Sequence, residues 1–263
     1  MGLVEDRYYF MRDCALDLGK TCSILYPEDN SFTFARNGKY LRALLDVDLN
    51  LQVAVQNRFA DWGELRKFSN KIFFHFVDDE DNIEYVWTYI HNSINYGKAR
   101  APVVVGEDCY IHPTAIIGVH GNTYAKAPDG TRIQLMEIGG VKIGDRVDIE
   151  AYSIVHRSCF GNTIIEDDVK VCVQCNIGHN TKIGKRTYIA PGVKLGGGTH
   201  IGEDCFIWQG VITHSQIKIC DKVMIGNGSY VHRSITESGI YAGSPAKYIK
   251  PFDEAVLKGE IQW

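Results

Sequence analysis

The sequence predicts a mostly β chain: a left-handed parallel β-helix preceded by a small α/β domain. Three observations carry this expectation. From Ile165 an aliphatic residue returns at every sixth position, through Val171, Ile177, Ile183, Ile189, Leu195, Ile201, Ile207, Ile219, Ile225 and Val231, with Thr213 the one departure. Glycine often follows directly, as in Ile177-Gly178, Ile183-Gly184, Leu195-Gly196, Ile201-Gly202 and Ile225-Gly226. The first hundred residues lack the step and hold most of the aromatics.

A helix returns its apolar residues at three and four positions and a half-buried strand at two, so neither explains a strict six. Six suits a triangular coil of eighteen residues. Each of its three short strands points one aliphatic side chain inward, and a small residue lets the chain turn the corner. Coils then stack at the ~4.8 Å spacing of paired strands, and each buried Ile, Val or Leu contributes ~1.5–3 kcal/mol. A residue eighteen positions on lies directly above its predecessor, which makes Gly197 the neighbour of His179. Ile143, Ile149 and Val155 keep the step upstream. The interval from Ile143 to Ile165 is 22 residues, so an insertion of four near Gly161-Asn162-Thr163 resets the phase. The first coil is expected from Val103–Gly106 and Ile111–Ala115, with residues 119–136 as a loop.

Ahead of the helix, Ser31-Phe32-Thr33-Phe34 and Leu51–Val55 alternate like strands, while Lys39–Leu45 and Asn82–Asn95 read as helices. The expected organisation is an α/β domain over residues 1–100, the β-helix over 101–250 and a short tail over 251–263. Of 263 residues, 45% are hydrophobic and 23% charged, enough for packed cores. With 28 Lys and Arg against 32 Asp and Glu, the chain lacks the basic excess of a nucleic-acid binder. It contains no run of ~18 apolar residues to span a membrane, and its N-terminus does not read as a signal peptide. A cytoplasmic protein is expected. Eight cysteines in a long, unsecreted chain do not suggest disulfides, and Cys172 and Cys175 form a CxxC without a second pair at zinc spacing.

Four stretches narrow the class. Ile111-His112-Pro113-Thr114-Ala115-Ile116-Ile117-Gly118 resembles the start of the β-helix in the lipid A UDP-acylglucosamine N-acyltransferase (LpxD-type) family of hexapeptide-repeat acyltransferases. Gly140–Ile149 looks like that family's central coil, and Asn176-Ile177-Gly178-His179-Asn180 matches its catalytic element. Phe34-Ala35-Arg36-Asn37-Gly38-Lys39-Tyr40 has the arrangement with which the family holds uridine. Two aromatic faces can sandwich a pyrimidine, and an amide offers its edge both a donor and an acceptor. Taken alone, Phe34 and Tyr40 read as core aromatics of the small domain.

The resemblance implies direct transfer of an acyl group from a thioester to the amine of a nucleotide-linked amino sugar, serving surface polysaccharide or glycan synthesis. UDP is the expected nucleotide, with dTDP or GDP as alternatives. It makes His179 the general base and His214 a second active-site histidine, with Asn180 on the substrate. Phe34, Asn37 and Tyr40 would hold the nucleotide. Gly197, lacking a side chain under His179, is the expected N–H donor to the oxyanion. Family sites lie between neighbouring β-helices, so a homotrimer is implied. The γ-class carbonic anhydrases share this fold and bind zinc through a His-x4-His pair, but Gly184 stands where that partner would be, and no metal is expected. Sixteen residues follow Lys247, and the ending Gly243-Ser244-Pro245-Ala246-Lys247 looks like that of coenzyme-A-dependent sugar acetyltransferases. The expected donor is therefore acetyl-CoA or another short acyl-CoA, with Lys247 near a coenzyme phosphate. The alternatives are an LpxD-like acyltransferase using acyl carrier protein and a sugar O-acetyltransferase.

Overall fold

A computed structural model describes residues 29, 31–35, 38–45, 47–60, 65, 68, 71–77, 82–96 and 99–257. The chain divides into two compact units, one running to residue 98 and including 122–136, the other comprising 99–121 and the residues from 137 onward.

The first unit carries a three-stranded parallel sheet in the order β1 (Ser31–Ala35), β2 (Leu51–Gln56), β3 (Ile72–Val77). Parallel neighbours need crossovers, and helix α1 (Gly38–Arg42) lies in the first of them. Its core gathers Ala35, Leu41, Leu44, Leu51, Val53, Val55 and Ile72. Helix α2 (Ile83–Asn95) starts at Asn82, whose side chain accepts the N–H groups of Glu84 and Tyr85 at 3.0 and 3.3 Å. This cap satisfies donors that the first helical turn leaves open.

Residues 119–136 are more than a loop. Tyr124–Lys126 pairs antiparallel with Arg132–Gln134 around Pro128-Asp129-Gly130. Asp129 accepts the Thr131 N–H at 2.9 Å and Gly130 takes φ +87°. This is turn chemistry with a mechanism, side-chain capture of the backbone followed by a left-handed glycine. The hairpin is held to α2 by Asn92, which donates to Gln134 O at 2.9 Å and accepts from Met136 N at 2.8 Å.

The second unit is a left-handed parallel β-helix. Its three flanks are parallel sheets, the second extended by an antiparallel hairpin of Gly239–Gly243 and Ala246–Lys250. Register follows the hexads: Ile165 pairs with Ile183, Val171 with Ile189, and Ile177 with Leu195. All twelve hexad positions from Ile165 to Val231 are buried. Thr213 is buried with its hydroxyl satisfied, accepting Gly196 N–H at 3.0 Å and lying 3.0 Å from Thr199 Oγ1. A hydroxyl can occupy an apolar column only with such partners.

Both insertions that lengthen a coil beyond eighteen fall at one corner, between the third flank of a coil and the first flank of the next, and the last coil shortens there to a step of 16, from Ile219 to Ile235. Ile143 pairs with Ile165 across a step of 22 residues, and Val105 with Ile143 across a step of 38. Below these insertions the corner contracts to Gly178–Thr181 and then to Gly196–Thr199. Asn180, Gly198 and Gln216 take φ of +60°, +71° and +61° at successive levels. Cys175 donates its thiol to Ala190 O and Cys172 to Tyr188 Oη, both at 3.1 Å, so each cysteine of the CxxC has its own partner.

On the first flank, His200 pairs with Lys182 on one side and Lys218 on the other. Burial, reinforced by these two ammonium groups, lowers its pKa to about 4 from 6.5. The unfolded chain therefore binds the proton first as pH falls. His200's contribution to stability is complete above pH 6.5 and declines between pH 6.5 and 4. His200→Gln should flatten the loss of urea-unfolding stability across this window, whereas an unchanged slope would place the acid sensitivity elsewhere.

Candidate active site

His179 sits in the contracted corner, two residues beyond the buried Ile177, and is half-buried itself. Its ring lies over Gly197, one coil on: a Cβ at Gly197 would collide with the ring at Nε2, and at Cε1 within 2.7 Å. On another side Gly121 leaves similar room, since a Cβ there would come within 2.9 Å of His179 Cδ2. Two glycines thus make the slot that the imidazole fills.

The tautomer follows from Asn180. Its Oδ1 accepts the Cys159 backbone N–H at 3.1 Å, which identifies that atom as the oxygen, and it lies 2.8 Å from His179 Nδ1. A carbonyl oxygen only accepts, so Nδ1 carries the hydrogen in the neutral ring. Nε2 then holds the lone pair, on the side of the ring that faces Gly197. Asn180 is fixed in turn by its own N–H, which donates to the buried Thr163 hydroxyl at 3.0 Å. The Asn180 side-chain oxygen thus serves both His179 and Cys159.

Behind the imidazole lie two groups that the sequence reading did not select. Cys159 Sγ is 3.5 Å from His179 Nδ1 and 3.7 Å from Glu137 Oε1. With Nδ1 already a donor, the thiol hydrogen points to the carboxylate. Glu137 is fully buried and accepts the Gly121 N–H at 2.5 Å. His120 Nδ1 lies 3.8 Å from the same carboxylate. Burial, with Arg100 and Arg157 nearby, holds the His120 pKa below its ordinary value against the opposing pull of Glu137. The 22-residue step from Glu137 to Cys159 equals the step between Ile143 and Ile165, and this is the signal that could have paired them.

The remaining expected residues are placed as follows. Among the described residues Gly197 N–H meets no acceptor. His214 is exposed, two coils beyond His179, a rise of about 10 Å, and its Nδ1–H donates to Ser215 O at 2.9 Å. The structure therefore does not bring His214 to His179 within one chain. Phe34, near the end of β1, is half-buried with its ring 4.9 Å from that of Trp87. Tyr40, on α1, packs against the small unit's core. Asn37 lies outside the described residues. Lys247 is exposed on the last hairpin.

Repeat, flanks and corner together define a hexapeptide-repeat fold, and residues 162–197 and 198–233 match the family described as bacterial transferase hexapeptide (six repeats). Within that class the chain resembles UDP-3-O-acylglucosamine N-acyltransferases. It is 36% identical over 132 residues to that of Delftia acidovorans, covering 50% of this chain and 39% of the relative. To that of Herminiimonas arsenicoxydans it is 38% identical over 139 residues, covering 53% and 39%. The chain thus spans about two fifths of the length of these relatives. The crystal structure of a UDP-N-acetylglucosamine acyltransferase from Bacteroides fragilis superposes with a TM-score of 0.52 at 20% identity, covering 62% of this chain and 61% of that one, a likeness of fold. Among the described residues no helix is long and apolar enough to cross a membrane.

The tautomer has a direct test. Nitrogen-15 spectra of histidine-labelled protein should show His179 protonated on Nδ1 at neutral pH, and Asn180→Ala should move it toward a tautomeric mixture. A wild-type ring protonated on Nε2 would contradict the assignment.

Proposed function

We propose that the chain is an N-acyltransferase that moves an acyl group from an acyl-CoA thioester to the amine of a nucleotide-linked amino sugar, with His179 as general base. The observation that carries this reading is the Nδ1–H bond of His179 to Asn180, which leaves the Nε2 lone pair as the proton acceptor. As the amine attacks the thioester carbon, Nε2 takes the amine proton. The new C–N bond replaces the C–S bond, and the thiolate leaves and is protonated. The Gly197 N–H is the donor assigned to the oxyanion, since Gly197 lies against the His179 ring and its N–H meets no acceptor among the described residues; removing such a donor typically costs ~10²–10³ in rate. Asn180 is a positioning residue that acts through His179.

Phe34, Asn37 and Tyr40 are assigned to the nucleotide and Lys247 to a coenzyme phosphate, a modest and salt-sensitive contact. The sequence match to UDP-3-O-acylglucosamine N-acyltransferases favours UDP and a glucosamine derivative. A homotrimer is part of the proposal, with His214 contributed at a site shared between copies.

His179→Ala should lower kcat by ~10²–10⁴, the usual worth of a positioned general base. The mutant should unfold as the wild type does, since the side chain lies outside the core columns. The assay is run with short acyl-CoA and with long-chain acyl carrier protein thioesters. More than a third of wild-type turnover in the mutant would refute the base, and a tenfold kcat/KM preference for the carrier thioester would refute the donor.

Phe34→Ala and Tyr40→Ala should each weaken UDP-sugar binding by about 1–3 kcal/mol, the order of an aromatic–base stack, and leave the thioester KM nearly unchanged. Calorimetry showing no binding of a uridine, thymidine or guanosine diphosphate sugar to wild-type protein at millimolar concentration would remove the clamp.

A further inference from the structure

We infer that Glu137, Cys159 and His179 form a binding site for a borderline-soft divalent cation, zinc above all, and that its occupation switches off the general base. The sequence suggested no metal because it offers no His-x4-His pair along one coil. The ligand set found here is built across coils, at the corner where the insertions accumulate.

One oxygen, one sulfur and one nitrogen ligand atom from these side chains all lie within 4.8 Å of one another, and Glu137 and Cys159 are buried. The geometry is closer to a metal site than that limit alone conveys. Tetrahedral zinc, with Zn–S ~2.3 Å and Zn–N or Zn–O ~2.0–2.1 Å, requires sulfur-to-nitrogen and sulfur-to-oxygen edges of ~3.6 Å. Here Sγ to Nδ1 is 3.5 Å and Sγ to Glu137 Oε1 is 3.7 Å. Both edges are therefore near those of an occupied site. A thiolate, an imidazole and a carboxylate favour zinc over magnesium or calcium, which prefer all-oxygen shells. A thiolate and a carboxylate together also cancel the charge of the ion, so the buried corner need not hold a net charge. The Gly121 N–H bond orients the carboxylate from behind, as outer-shell partners do in metal sites.

Binding is a proton exchange. The Cys159 thiol loses its proton to solvent as the S–metal bond forms. His179 must present a lone pair at Nδ1, so its hydrogen moves to Nε2 and the bond to Asn180 Oδ1 is lost. A ring metallated on Nδ1 and protonated on Nε2 cannot accept a proton from an amine. This consequence rests on the reading of His179 as general base; the site itself does not.

The test uses the full chain, reduced and stripped with a chelator, with Co²⁺ as the probe and Zn²⁺ as its competitor. Co²⁺ should give tetrahedral d–d absorption together with a thiolate-to-cobalt charge-transfer band, and Zn²⁺ should abolish both. Zn²⁺ should also move the His179 nitrogen-15 signals of wild-type protein from Nδ1–H to Nε2–H, a measurement that needs no variant. Cys159→Ala and Cys159→Ser should each lose the charge-transfer band, and Glu137→Gln should weaken Co²⁺ binding by at least the order of 10–100-fold that loss of an outer-shell partner already costs. A wild-type protein without the band, or a band of undiminished affinity in both Cys159 variants, overturns the site. Spectroscopically demonstrated Zn²⁺ binding with undiminished acyl transfer would leave the site standing and overturn His179 as the base.

Discussion

Everything in the second unit depends on the stacking of eighteen-residue coils over three columns of buried aliphatic side chains. Each column gains burial at every level, and the strands around it pair with the coils above and below. A side chain at a corner has its height set by the coil and its lateral position by the inward residue just before it. His179 can lie over Gly197 because Ile177 and Leu195 are paired neighbours on the third flank. The geometry of this corner is thus inherited from the packing of the core and needs little support from its own loop.

The chemistry of the corner turns on which nitrogen of one imidazole is protonated. Asn180 decides this because its oxygen is already identified by a backbone donor and so accepts at Nδ1. The Glu137 carboxylate and Cys159 thiol stand behind the same nitrogen. Proton and cation compete there for one lone pair, and the outcome decides the state of Nε2 on the far side of the ring. Groups behind a ring can thus set the state of the nitrogen on its far side.

The β-helix was legible to the level of register, because a six-residue period can be met only by short strands separated by sharp turns. Thr213 broke the pattern without breaking the column, since Thr199 and the Gly196 N–H satisfy its hydroxyl. The hairpin of residues 124–134 was hidden inside a segment read as a loop: its strands are only three residues long, too short for alternation to register. Glu137 and Cys159 were hidden differently. They precede the regular hexads, where coils are 38 and 22 residues long, so arithmetic in eighteens does not lead to them. Phe34 shows a limit of motif reading, because its ring packs at a tilt against Trp87 and so has a packing role whatever else it does.

The confinement of every irregular coil to one corner has a wider consequence. A solenoid that lengthens at a single edge gains chain there without disturbing the phase of the other two flanks. The inward residues after each insertion return to their columns, as Ile143 and Ile165 do. Length is therefore a nearly independent variable at this seam and a forbidden one elsewhere. Chain can be added beside the imidazole while the interior stays the same, so the surroundings of that ring are free to vary where the core is not.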